Sequence, residues 1–245
     1  MILEICTDSI ASVKAAADGG AGRIELCSAL GDGGVTPSTG LMKQARAVDG
    51  LKMHVLIRPR GGDFVYDENE IQCMITDIET AIDCGADGVV IGALRPDGTV
   101  DTDTVGRLIE AAGQCRNVTF HRAFDLCRDP FEALEQIIKL GCNRVLTSGQ
   151  APSAEAGIPL LRQLNERAAE RITILPGGGV SPSNASRIIR ETGCTELHGS
   201  LRTTMPSPMI YHRPGVTMGT PGADEYSLSI TSAQLVRETI QAMTK

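Results

Sequence analysis

The sequence predicts a single (β/α)8 barrel, and three observations predict it. A short pattern of glycine, small residue, spacer and apolar run recurs four times, at residues 20–26, 85–91, 141–147 and 193–199. Four more apolar runs, at residues 2–6, 53–57, 117–121 and 171–176, alternate with it to make eight strands, and the segments between them carry helix signals. The chain has 245 residues, against about 250 for a barrel of this kind. A doubly wound open sheet is the competing fold, but eight evenly spaced strands favour closure of one domain over residues 1–245.

Taken in order, the chain opens on Met1-Ile2-Leu3-Glu4-Ile5-Cys6, a strand with an acid in its middle rather than a signal peptide's basic start and apolar run. Gly20 then follows a helical stretch, where a left-handed residue commonly ends a helix, and the apolar run behind it reads as a buried strand. Thr36-Pro37-Ser38 places a capping residue before a proline at the first position of the next helix. After the strand at 53–57, residues 70–83 put Ile71, Met74, Ile75, Ile78 and Ile82 on one helical face. The strand at 85–91 leads to a helix at 103–112, and the strand at 117–121 leads to Asp129-Pro130, which caps a helix over 131–140. Strand 141–147, helix 154–167, strand 171–176, helix 184–191 and strand 193–199 complete the alternation. Residues 200–229 break it, with Pro206, Pro208, Pro214 and Pro221, and read as an irregular connection to a last helix at about 231–244. Such a segment serves as a lid, a dimer arm or a surface loop.

Composition excludes several functions. Lys+Arg total 23 against 30 Asp+Glu, a net charge of −7, which argues against a nucleic-acid surface or a polybasic membrane tail. Four Phe, three Tyr and no Trp leave little for base or sugar stacking. No apolar stretch approaches the roughly 18 residues of a membrane span, so a cytoplasmic protein without nucleic-acid or membrane partners is expected. The eight cysteines, at 6, 27, 73, 84, 115, 127, 142 and 194, form no C-x-x-C, and a disulfide framework is not expected. Six of them read as packing, while Cys6 and Cys27 end the first two strands.

In such a barrel the chemistry sits where strands end. Strands one and two end Glu4-Ile5-Cys6 and Glu25-Leu26-Cys27; strand three leads into Arg58-Pro59-Arg60-Gly61-Gly62-Asp63; strand five ends His121-Arg122-Ala123-Phe124-Asp125. Strands seven and eight end in Gly177, Gly178 and Gly179 and in His198-Gly199-Ser200. The three glycines ahead of a helix start offer bare backbone N–H groups for an anion, with Ser200 on the other side, or else they only permit a tight turn. Arg58 and Arg60 can clamp a carboxylate or phosphate, or pair with Glu4, Glu25 or Asp63. His121 and His198 are proton carriers, with Glu25 or Asp125 as orienting carboxylate or base. Adjacent strands lie about 4.8 Å apart, so the Cys6 and Cys27 sulfurs can approach each other and suit a soft ion such as Cu(I) better than Mg²⁺ or Ca²⁺.

Those residues carry a resemblance. The stretches Arg23-Ile24-Glu25-Leu26-Cys27, Gly33-Gly34-Val35-Thr36-Pro37-Ser38, Ile57-Arg58-Pro59-Arg60-Gly61-Gly62-Asp63-Phe64, Thr119-Phe120-His121-Arg122-Ala123-Phe124-Asp125 and Leu146-Thr147-Ser148-Gly149-Gln150 make the chain closely resemble the CutC family of copper homeostasis proteins, over nearly its whole length. The tail from Ser207-Pro208-Met209 to Asp224-Glu225-Tyr226 matches too. The resemblance implies a cytoplasmic barrel, a homo-oligomer (dimer or tetramer), and copper handling through cysteine. Two readings follow. One is a copper homeostasis protein with Cu(I) held by Cys6 and Cys27 and a third ligand from His121 or His198. The other is a lyase, isomerase or hydrolase acting on a small phosphorylated or carboxylated compound. In it Glu25, His121, His198 and Asp125 do acid–base work, Arg58 and Arg60 act as clamps, and the glycines with Ser200 hold the anion.

Overall fold

The structure, a computed structural model, describes residues 1–113, 117–213, 215–216 and 224–244. Cys115, Pro214 and Pro221 lie outside the described residues. Eight strands form the barrel: β1 (Ile2–Thr7), β2 (Arg23–Leu26), β3 (Lys52–Leu56), β4 (Gly88–Ile91), β5 (Asn117–Phe120), β6 (Arg144–Thr147), β7 (Thr173–Pro176) and β8 (Glu196–Gly199). They pair in parallel in the order β7-β6-β5-β4-β3-β2-β1-β8. A parallel bridge between Gly177 and His198 joins the two ends and closes the sheet.

Helices α1 (Ile10–Gly19), α2 (Thr39–Arg46), α3 (Glu68–Asp83), α4 (Thr102–Ala112), α5 (Pro130–Lys139), α6 (Ile158–Ala168) and α7 (Ala185–Thr192) connect the strands, and α8 (Ala233–Met243) ends the chain. The four repeat glycines have φ of 88° at Gly20, 84° at Gly85, 86° at Gly141 and 71° at Gly193, the left-handed turn out of a helix that a Cβ would strain. Asp129 caps α5 as its sequence predicts, whereas α2 starts after the Thr36-Pro37 signal, with Ser38 as the residue that caps it. Helix α3 begins before residue 70 because Asp67 and Glu70 form a reciprocal capping box. Helix α6 begins later than residue 154, with Pro159 in its first turn.

The outward faces of the strands are apolar. Ile5, Val55, Val89, Ile91 and Val145 are fully buried under the helices, each worth roughly 1.5–3 kcal/mol relative to exposure. The inward face is different: Glu4, Arg23, Glu25, His54, Arg144, Glu196 and His198 are all buried there. Most barrels of this fold fill that space with branched aliphatic layers.

Two expectations change. The connection over 200–229 is not irregular at its ends, because β9 (Arg202–Pro206) and β10 (Ser227–Thr231) form an antiparallel hairpin from Arg202↔Thr231 to Pro206↔Ser227. Arg202 pairs with Asp8 at 3.1 Å, and the Thr231 N–H donates to Ser12 Oγ, so the barrel anchors the hairpin. Beyond it Met209, Ile210 and Tyr211 are exposed. Of the cysteines expected as packing, Cys84, Cys127, Cys142 and Cys194 are buried, but Cys73 is exposed. It lies off the α3 face formed by Ile71, Met74 and Ile78. No described helix is long and apolar enough to cross a membrane.

Candidate functional site

A cavity of about 250 Å³ opens at the C-terminal rim of the barrel. Its floor comes from β1, β2 and β8. Cys6 is the register partner of Glu25, and Glu4 is the partner of His198, so period-two alternation turns all four side chains inward. His198 Nδ1 lies 2.8 Å from Glu4 Oε1, and its Nε2 lies 3.7 Å from Glu25 Oε2. Ligand atoms of Cys6, Glu25 and His198 all lie within 4.8 Å of one another. Cys27 Sγ is 3.6 Å from Cys6 Sγ but is fully buried behind it, donating to the Thr7 carbonyl oxygen. Cys6 lines the cavity and Cys27 does not.

Under this floor lies a layer of buried ions. Arg23 joins Glu4 to Glu196, Arg144 donates to Glu196 at 2.8 Å, and His54 Nδ1 stands 3.9 Å from Glu4. Burial by itself raises Glu4, but its His198 hydrogen bond and Arg23 outweigh that and hold the carboxyl far below its usual range. Burial works against the His198 imidazolium, yet Glu25 and Glu4 outweigh it and raise its pKa. Burial also raises Glu25, against the pull of His198. Burial takes His54 down to about 4, despite Glu4, so the ring is neutral. Glu4, Glu25 and Glu196 thus face Arg23, Arg144 and His198, and the charges nearly cancel.

The walls come from the loops after β3 and β5. The Arg58 guanidinium is buried and donates to the carbonyl oxygens of Asp32 at 2.9 Å, Gly34 at 2.8 Å and Gly62 at 2.7 Å, with its carbon 4.9 Å from the Phe64 ring centroid. His121 accepts the Ala123 N–H at Nδ1, which assigns the proton of the neutral ring to Nε2. Burial and the Arg58 charge take its pKa down to about 3. A Cβ on Gly92 would lie 2.5 Å from His121 Cε1, so only glycine lets the ring take this position. Gly92→Ala is expected to lower stability by about 1–3 kcal/mol through overpacking, measured by urea denaturation. An unchanged midpoint would show that His121 shifts freely.

The other predicted site residues fall in varied places. Gly178, Gly179 and Ser200 line the cavity mouth. Gly177 does not; it packs under Leu146 and His198, where a Cβ would lie 2.5 Å from Leu146 Cδ1. Asp125 also stands back from the cavity, accepting from the Ser148 and Gln150 amides and from Arg122 Nε at 2.7 Å, so it positions Arg122 at the mouth. Arg60 points away and pairs with Glu70 and Asp63 on the surface. Arg58 turns inward and Arg60 outward because the loop after β3 does not keep the strand alternation that would put residues two apart on one side. The prediction passed over His54, Arg144, Glu196 and Arg122. Charges two apart in otherwise apolar strands, as in Arg23-Ile24-Glu25 and Glu196-Leu197-His198, are the signal that locates the ion layer.

Similarity to known proteins agrees with this architecture. A family model described as the CutC family matches residues 1–203. A family protein CutC of Bacteroides fragilis is 50% identical over 245 residues, covering 99% of this chain and 97% of that protein. One from Chromobacterium violaceum is 49% identical over 244 residues, covering 100% and 98%. The crystal structure of a Streptococcus agalactiae CutC, a copper homeostasis protein by name, superposes with a TM-score of 0.78 at 34% identity, covering 82% of this chain and 98% of that one. By sequence and by fold, the chain belongs to the CutC family.

Proposed function

We propose that this protein acts in cytoplasmic copper homeostasis by binding Cu(I) at the cavity floor. The observation that carries the reading is the cluster of Cys6, Glu25 and His198 within 4.8 Å, with a second sulfur, Cys27, 3.6 Å from Cys6. The donor set fits the ion: thiolate sulfur and imidazole suit Cu(I), whereas carbonyl-rich or all-carboxylate sites suit harder ions. Glu4 holds the far nitrogen of His198, the usual outer partner of a metal-binding imidazole. His121 is outside the cluster, which leaves His198 as the third ligand. The Cys27 hydrogen bond, burial and Glu25 all favour the protonated Cys6 thiol, and Glu25 and Glu4 favour the His198 imidazolium, so ion capture displaces one proton from sulfur and one from His198 Nε2.

A lyase, isomerase or hydrolase reading draws on the same floor, Glu25 beside His198. The arrangement favours ion capture because a sulfur belongs to the cluster. The exposed Met209, Ile210 and Tyr211 beyond the hairpin support assembly as a homo-oligomer.

Titration of the reduced full-length protein with Cu(I) against a competing chelator tests the reading. Cys6→Ser is expected to weaken affinity by about 100-fold or more, at or beyond the upper end of the roughly 10–100-fold that loss of an outer partner of a ligand costs. Arg60→Gln, which is remote from the cluster, is expected to change nothing. Unaltered affinity in both Cys6→Ser and His198→Gln removes this site from copper handling.

A further inference from the structure

The ion layer closes on itself, but the cavity wall does not. Arg58 is 5% exposed and has no carboxylate within ion-pair distance among the described residues. Its terminal nitrogens go to three carbonyl oxygens, and its Nε has no hydrogen-bond partner. His121 is 4% exposed, and its Nε2 is likewise without a partner. Both residues line the cavity, and both open positions are donors. A buried cation without a counter-charge and buried donors without acceptors each cost free energy. An acceptor-rich anion in the cavity supplies the counter-charge that Arg58 lacks and an acceptor beside the His121 ring.

The rest of the cavity says what kind of anion. Arg122 stands at the mouth with Gly178 and Gly179, whose φ of 99° and 76° turn that loop sharply beside the guanidinium. A Cβ on Gly178 would be 3.7 Å from the Arg122 guanidinium carbon. Leu30, Leu56, Leu146 and Phe64 supply apolar wall between the polar groups. The volume of about 250 Å³ is just below the roughly 300–1,000 Å³ of drug-sized sites, so the occupant has the size of a small metabolite. We propose that the rim cavity binds a small organic oxyanion, a phosphate monoester or a carboxylate, whose oxygens accept from His121 Nε2–H and Arg58 while Arg122 and the Gly178-Gly179 turn receive its outer end. This site goes beyond Cu(I) capture and uses none of its sulfur donors.

Calorimetric titration of the metal-free full-length protein with glycerol 3-phosphate and with succinate tests the proposal. At least one probe is expected to bind one-to-one, and His121→Phe is expected to weaken it about tenfold or more, the scale of a lost hydrogen bond to a charged group. Arg60→Gln, outside the cavity, is expected to leave probe affinity unchanged. Tighter binding of the ester assigns the phosphate class, and tighter binding of succinate assigns the carboxylate class. In the wild-type protein the His121 Nε2–H proton resonance is expected to move on saturation, a readout that needs no variant. Absence of saturable binding by either probe, binding unaffected by His121→Phe, or an unmoved His121 resonance overturns the proposal. None of these results bears on the Cu(I) titration, which responds to Cys6→Ser.

Discussion

Arg23→Met is expected to lower the free energy of unfolding at pH 7 by about 3–5 kcal/mol, the cost of breaking a buried ion pair from one side. Arg23 is buried and touches two carboxylates, Glu4 and Glu196, on opposite flanks. Methionine keeps much of the stem and its apolar contacts but leaves those acids opposed only by Arg144 and His198. The favourable attraction in the layer then becomes uncompensated desolvation of two negative charges. Urea denaturation of the variant beside Arg60→Gln gives the comparison, since an exposed pair such as Arg60–Asp63 is worth at most about 1 kcal/mol. A loss at position 23 no greater than that at position 60 would mean that water reaches the layer.

Acidification from pH 7 to pH 5 is expected to cost about 2 kcal/mol through each of His54 and His121. Their folded pKa values of about 4 and about 3 lie below the unfolded value of 6.5. Between those values the unfolded chain takes up a proton that the folded protein refuses, so stability falls as pH falls. Protonation of the unfolded state over the 1.5 units from 6.5 to 5 gives about 2 kcal/mol per ring at 1.36 kcal/mol per unit. His198 has the opposite sign. Its folded pKa is raised, so its contribution is complete in acid and is lost as pH rises through that value. The measurement is therefore a difference. The fall in unfolding free energy from pH 7 to pH 5 is expected to be shallower by about 2 kcal/mol in His121→Phe than in wild type, and likewise in His54→Gln. Identical pH slopes would show that both rings are protonated in the folded state.

Much of the candidate site was legible because a barrel places chemistry by a simple rule. Glu25, Arg58, His121 and His198, read from strand ends, all line one cavity with Cys6, Gly178, Gly179 and Ser200. The rule gives the rim but not the direction of each side chain beyond the last paired residue. Arg58 and Arg60 differ by two positions, yet one turns into the cavity and the other onto Glu70, because the loop after β3 no longer keeps strand alternation. Asp125 sits in a short 3-10 helix, Arg122–Leu126, whose turn carries it behind Arg122. Cys27 was expected beside Cys6 and is beside it, but it lies one layer behind the cavity surface.

Periodicity, helix-stop glycines, capping residues and chain length by themselves determined eight strands, their connecting helices and the rim as the place for chemistry, since these signals are local and act within a few residues. Pairing of the last barrel strand with the first decided the rest. It set Glu4 against His198 across 194 residues and Arg23 against Glu196 across 173. Those contacts, together with burial, govern that His198 favours its charged form and His54 its neutral one. Such properties depend on burial and on charges from distant strands, and no local pattern encodes them.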